Sequence, residues 1–199
     1  IQCCLVGSEM CIRDREEVLR SMHRAAPNIY EGDLIETTES LIPDLNYVAQ
    51  SSGNVAIYIA NGHGIWEAAL SNIVTANDHI LVVATGRFAH GWADMARKIG
   101  VNVDILDFGR NRALDIEVLA KKLKSEAKTK YKAILMTHVD TSTSIKNDIS
   151  SIKKKLEEID CSALLAVDCI ASLACDKFEM DEWGVDIMVA ACQKGLMVP

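Results

Sequence analysis

Residues 79–106, HILVVATGRFAHGWADMARKIGVNVDIL, decide the fold. Residues 79–84 form a short apolar run of strand length, and 101–106 form another. Between them, 88–99 carries apolar residues at helical spacing, with Arg97 and Lys98 at its end. The runs are continuously apolar rather than alternating, which is the pattern of strands covered on both faces.

The same alternation of strand and helix extends in both directions. Upstream, 54–60 (NVAIYIA) reads as a strand, followed by Gly62-His63-Gly64 and a helix through Trp66, Ala69 and Ile73. Downstream, a helix over about 115–127 would bury Ile116, Leu119, Ala120 and Leu123, and 131–137 (YKAILMT) is the next strand. Asn147 or Asp148 would cap a helix with Ile149, Ile152, Leu156 and Ile159 on its apolar side. Segments 163–167 and 185–190 complete the strands. Helical spacing also covers 16–25 and 33–50; in the second, Leu34, Thr38, Leu41, Leu45 and Val48 approximate one face, and Pro43 is a point of kinking. The predicted fold class is α/β, a mostly parallel sheet with helices on both faces.

Bulk properties narrow the function. Hydrophobic residues at 49% supply a core, and a net charge of -7 argues against a nucleic-acid face, which needs clustered positive charge. The longest apolar runs are too short to span a membrane. Seven cysteines form no C-x-x-C pair and no zinc-ligand spacing, so no metal site is expected. They read as reduced, mostly buried thiols of a cytoplasmic protein. Residues 1–15 (IQCCLVGSEMCIRDR) lack an initiator Met and a signal-peptide core, and they read as a non-native tail. Pro199 directly follows the densest cluster of candidate site residues, so 16–199 is expected to be a piece of a larger domain.

In a parallel sheet, ligands bind at the carboxyl edge of the strands, and three loops there carry chemistry. Asn61-Gly62-His63-Gly64 follows a strand and opens a helix, where free N–H groups and the helix dipole favour phosphate; the alternative is a tight glycine turn. Asp168 ends an apolar strand, and a buried carboxylate there needs a cation or a donor. A protonated pyridine nitrogen is one such partner; a metal or a helix N-terminus is another. Lys194, 26 positions after Asp168, sits among Cys192, Gln193, Gly195 and Leu196, a setting in which a lysine can lose its proton and act as a nucleophile rather than serve as a surface charge. A phosphate turn, a pyridinium carboxylate and a Schiff-base lysine together make the minimum site for pyridoxal 5'-phosphate.

Five ordered segments make a specific resemblance: YIANGHGIWEAAL (58–70), ATGRFAHGWADMA (84–96), THVDTSTS (137–144), AVDCIASLACDKFEMDEWGVD (166–186) and ACQKGLM (191–197). Over 16–199 the chain resembles the class V aminotransferases of fold type I, nearest to the alanine-glyoxylate and serine-glyoxylate aminotransferases. The resemblance implies the large domain of a pyridoxal-phosphate enzyme, without the smaller C-terminal domain or its substrate-gripping arginine. It implies Lys194 as Schiff-base lysine and proton shuttle, and Asp168 on the pyridine nitrogen. It places Ile170 on one ring face and Phe88 on the other, with core packing as the lesser reading of Phe88. Asn61, Gly62 and His63 would bind the phosphate with help from Gln193. Thr141 would lie near the ring oxygen, or else cap its loop. Cys192 departs from the serine expected before Gln-Lys. His90 and His138 are expected to be structural or supporting.

The implied reaction moves an amino group from alanine or serine to glyoxylate or a similar 2-oxo acid, in a homodimer at full length, with little or no activity for this piece alone. Cysteine desulfuration ranks lower, because that group has histidines where Gln193 and Phe88 stand. A dinucleotide-binding oxidoreductase would need a Gly-rich fingerprint that is absent. A non-catalytic fragment that keeps the large-domain fold is the remaining reading.

Overall fold

The computed structural model describes residues 15–127 and 130–198; residues 1–14 of the expected tail lie outside them. In chain order the elements are α1 (Glu16–Met22), α2 (Asp33–Ala49), α3 (Gly62–Ile73), β1 (His79–Ala84), α4 (Arg87–Lys98), β2 (Asn102–Asp107), α5 (Ile116–Lys124), β3 (Ala133–Thr137), β4 (Val139–Asp140), β5 (Ile145–Lys146), α6 (Ser150–Glu158), β6 (Leu164–Asp168) and β7 (Ile187–Val189).

Five strands make one parallel sheet in the order β2-β1-β3-β6-β7. From β1 the chain moves outward through α4 to β2, then returns past β1 through α5 to β3 and continues the other way. Because parallel crossovers keep one hand, this reversal sends α4 and α5 to opposite faces. Successive residues of each strand therefore serve two cores. Ile80, Val82, Ala84, Ala133, Leu135 and Ala166 pack with Trp66 and Leu70 of α3 and with Trp92, Ala93 and Ala96 of α4. Leu81, Val83, Ile134, Met136, Leu165 and Val167 pack with Leu119 and Leu123 of α5 and with Ile152 and Leu156 of α6. The α/β class, the parallel sheet and the helices on both faces are as the sequence predicts.

Several local expectations are corrected. Residues 54–60 form no strand: they have β-favouring side chains but no strand beside them among the described residues, and Ile57, Tyr58 and Ile59 are exposed. A strand is a pairing as well as a composition, and the local pattern cannot supply a neighbour. Helix α2 runs through Pro43 unbroken, and only Ala49 of it is buried, so its apolar stripe is largely uncovered. Neither Asn147 nor Asp148 is the cap of α6. Ile149 holds that position without a side-chain bond, while Asp148 accepts from Ser150 Oγ at 2.6 Å. The cysteines are not mostly buried either: of the four described, Cys169 is buried, Cys161 is half-buried, and Cys175 and Cys192 are exposed.

A pair of strands too short to read in the sequence, β4 and β5, folds back over the sheet edge as an antiparallel ladder. Asn147, turned inward, closes its base. Its amide donates to Thr85 Oγ1 at 3.0 Å and to the Thr137 carbonyl at 2.9 Å, and its oxygen accepts from Leu114 N–H at 2.9 Å.

Candidate active site

The winding reversal lies between β1 and β3, so their carboxyl ends flank the crevice where α/β sheets bind ligands. Thr85 and Gly86 follow β1, Thr137 and His138 follow or end β3, and Asp168 ends β6 in register with Thr137.

Asp168 is 4% exposed. Ile170 N–H donates to its Oδ1 at 2.7 Å and Trp66 Nε1–H to its Oδ2 at 2.9 Å. Burial dominates its titration, pushing the carboxyl up to about 7 with help from the nearby Asp140 charge, while those two donors pull it back. Thr137 Oγ1, on the same face one strand over, is buried without a partner among the described residues. A buried carboxyl poised in this way keeps lone-pair capacity for a further polar partner.

The glycine turn is joined to this carboxyl through Ile170 and Trp66. Asn61 caps α3, its Oδ1 accepting from Gly64 N–H at 3.0 Å. Ile65 N–H bonds the Asn61 carbonyl, which leaves Gly62 N–H and His63 N–H without acceptors among the described residues. A Cβ on Gly62 would stand 2.9 Å from Ile170 Cδ1, so the bare glycine lets Ile170 close on the turn. The His63 ring meets Trp66 edge-on at 4.9 Å, and Phe88 meets Trp66 at 6.2 Å. Asn61, Gly62, His63, Phe88, Asp168 and Ile170 are thus brought together, with Trp66 at their centre.

The other predicted residues lie on two further loops. Thr141 is exposed in the β4–β5 turn. Its neighbour Asp140, fully buried, reaches under the start of α4 and accepts from Phe88 N–H at 3.0 Å and Ala89 N–H at 3.4 Å. Gln193 and Lys194 are half-buried on the turn after β7. Gly195 packs that turn against Leu173 and Cys175, on the loop that begins at Asp168. His138 is buried, its Nδ1 within 3.0 Å of Ser172 Oγ, and burial holds its protonation below the usual histidine range, as does the Lys146 charge. His90 pairs with Asp107 at 3.1 Å on the surface. Cys169 is raised well above the ordinary thiol range by burial, so it is no nucleophile.

Sequence reasoning missed Trp66 and Asp140. Their partners stand 102 and 52 positions away, and no local pattern announces such pairs. Among the described residues, no group of three or more His, Cys, Asp and Glu side chains is arranged to hold a metal ion, and no helix is long and apolar enough to cross a membrane.

The family profile for aminotransferase class-V matches residues 12–199. The chain belongs to the class-V aminotransferases. This class-V chain is 32% identical over 185 residues to a serine–glyoxylate aminotransferase of Arabidopsis thaliana, covering 92% of the chain and 46% of that relative. It is also similar, at 32% over a shorter stretch of 155 residues, to alanine–glyoxylate aminotransferase 1 of Saccharomyces cerevisiae, with 76% and 40% covered. Among solved structures, the ureidoglycine-glyoxylate aminotransferase of Bacillus subtilis superposes with a TM-score of 0.84 at 26% identity, over 94% of this chain and 47% of that one. An alanine–glyoxylate aminotransferase from Nostoc sp. shares the fold at a TM-score of 0.86 and 24% identity, over 94% and 48%. The class-V chain spans about half the length or less of the curated relatives it matches.

Proposed function

We propose that this chain builds the pyridoxal-phosphate site of a transaminase that moves an amino group from alanine or serine to glyoxylate or a similar 2-oxo acid, acting at full length as a homodimer. The single observation that carries the reading is Asp168. It is a buried carboxyl at the sheet's carboxyl edge, held by two donors and packed through Ile170 against a glycine turn with two N–H groups that lack acceptors among the described residues. Class-V membership and the names of the relatives support the reaction class.

The residues present fit the cofactor at both ends. Gly62 and His63 N–H groups, at the positive end of α3, would take the phosphate, with Gln193 beside them. Asp168 would accept from the ring nitrogen; a positive partner there favours the ionised carboxylate and offsets the burial that otherwise protonates it. Ile170 and Phe88 would cover the two ring faces and exclude water, and Thr141 would stand near the ring oxygen. Bound pyridoxal phosphate supplies an electron sink for the negative charge left when a proton leaves the substrate α-carbon. Lys194 would be the covalent anchor, and its Nζ would carry that proton away and return it.

The test uses the full-length protein with pyridoxal phosphate and borohydride. Mass spectrometry should find the reduced cofactor on Lys194, and Lys194→Ala should lose it. Alanine and serine, each supplied with glyoxylate, then identify the donor by glycine formed. Trapping that ignores Lys194 would overturn the assignment, and absence of glycine with either donor would overturn the reaction.

A further inference from the structure

We propose that Trp66 is a positioning residue of this site: its indole N–H fixes the orientation of the Asp168 carboxyl and ties it to the helix that carries the phosphate turn. The inference deepens the proposed function and rests on it.

Trp66 is on α3, three residues after His63, so its side chain shares a helix face with the turn that opens α3. The indole is 1% exposed and cannot turn freely, since it stacks on Trp92 at 5.9 Å with an interplanar angle of 15°. Phe88 and His63 meet it edge-on. Held in this way, its N–H reaches Asp168 Oδ2 at 2.9 Å, while Ile170 N–H holds Oδ1 at 2.7 Å. Each carboxyl oxygen thus has one donor, from two directions, and keeps a lone pair for another. The carboxyl plane is set before any ligand arrives, which is how a site avoids ordering itself at the moment of binding. One rigid helix would then hold both the turn that would take the phosphate and the donor that orients the carboxyl meant for the ring nitrogen. Trp66 therefore acts through Asp168, and its packing and its hydrogen bond are separable: phenylalanine keeps an aromatic ring and deletes the donor.

The other ionisable groups near this pair are Asp140 beneath α4, whose charge Asp168 feels, Cys169 beside it in the chain, and His63 on α3. His138 contributes a backbone N–H to the Asp168 carbonyl at 2.9 Å. Lys194 lies on the turn packed against the Asp168 loop.

The experiment follows the Trp66 indole N–H resonance in the cofactor-free full-length protein between about pH 5 and pH 9, assigning it by its loss in Trp66→Phe. The expected result is a shift that tracks one ionisation and is absent in Asp168→Asn, which separates Asp168 from the neighbouring His63. Trp66→Phe, with unchanged circular dichroism, should bind pyridoxal phosphate about tenfold more weakly, yet be trapped on Lys194 fully at saturation. An indole resonance indifferent to Asp168, or wild-type affinity in Trp66→Phe, overturns the inference. A wild-type protein that binds no pyridoxal phosphate instead overturns the functional reading, whatever the indole resonance does.

Discussion

Gly195 packs face to face with Leu173: a Cβ at 195 would overlap the Leu173 carbonyl oxygen and stand 3.0 Å from Cys175 Sγ. The obstacle is largely backbone, so it cannot swing aside as a flexible side chain would. Gly195→Ala must push the 193–195 turn off the Asp168 loop. The expected loss is about 1–3 kcal/mol, typical of forced overpacking, read by thermal melting, together with a fall in cofactor trapped at Lys194. Normal trapping in a variant of normal stability would show that this contact does not hold the lysine.

Asp140 is the tertiary cap of α4. It accepts from Phe88 N–H and Ala89 N–H, and from Ser142 through both N–H at 2.9 Å and Oγ–H at 2.6 Å. Gly86, just before the helix, has no room for a side chain because Asp140 fills it. Asp140→Ala strips helix donors of their acceptor and should lower stability by about 1–3 kcal/mol. Urea unfolding measures this, with a midpoint shift and an unchanged slope as the expected form.

The Asp168 carboxyl gives the cofactor-free protein a pH dependence of unusual sign. Its folded value is raised from 3.8 to about 7, so the folded state holds the proton more tightly than the unfolded chain. Stability from this group is fully present below about pH 4, declines as pH rises to about 7 and is flat above, with a total of at most about 4 kcal/mol. Asp168→Asn removes the slope. Melting temperatures of both proteins across that window decide the matter: equal slopes would contradict the assigned burial.

Asn147 is a buried amide that uses three bonds to join the ends of β1 and β3 to the segment before α5. Asn147→Ala leaves several buried partners unpaired and should destabilise by about 2–4 kcal/mol. The Leu114 amide, which loses its acceptor, should exchange with solvent faster. An unchanged exchange rate there would show that the bond is not populated in solution.

What the sequence made legible follows from how far each residue's partner lies. The run 79–84 declares itself because every side chain after His79 is apolar and buried, and the lysine-rich helix of 150–158 does so through its spacing. Segment 54–60 carries the same local preference, yet its state depends on a neighbouring strand that composition cannot reveal. Asp168 and the glycine turn were readable as chemistry because their residue types are conspicuous at strand ends. Trp66 and Asp140 were not, since an indole on an apolar helix face and an aspartate in a polar turn look ordinary until the fold supplies their partners. Asn147 was misread for the same reason: a cap is the common use of asparagine before a helix, and here the interior claimed it.

The alternation of side chains along β1, β3 and β6 has a consequence for how this protein can vary. Neighbouring residues such as Leu81 and Val82 are covalently joined but pack into different cores. Substitutions under α5 and α6 can compensate one another without a side chain beneath the candidate site moving, because the sheet backbone stands between them. The layer of α3 and α4 has no such liberty, since Trp66 and Trp92 fill it and Asp168 leans on it. The sheet thus partitions the molecule into a side free to drift and a side that is not.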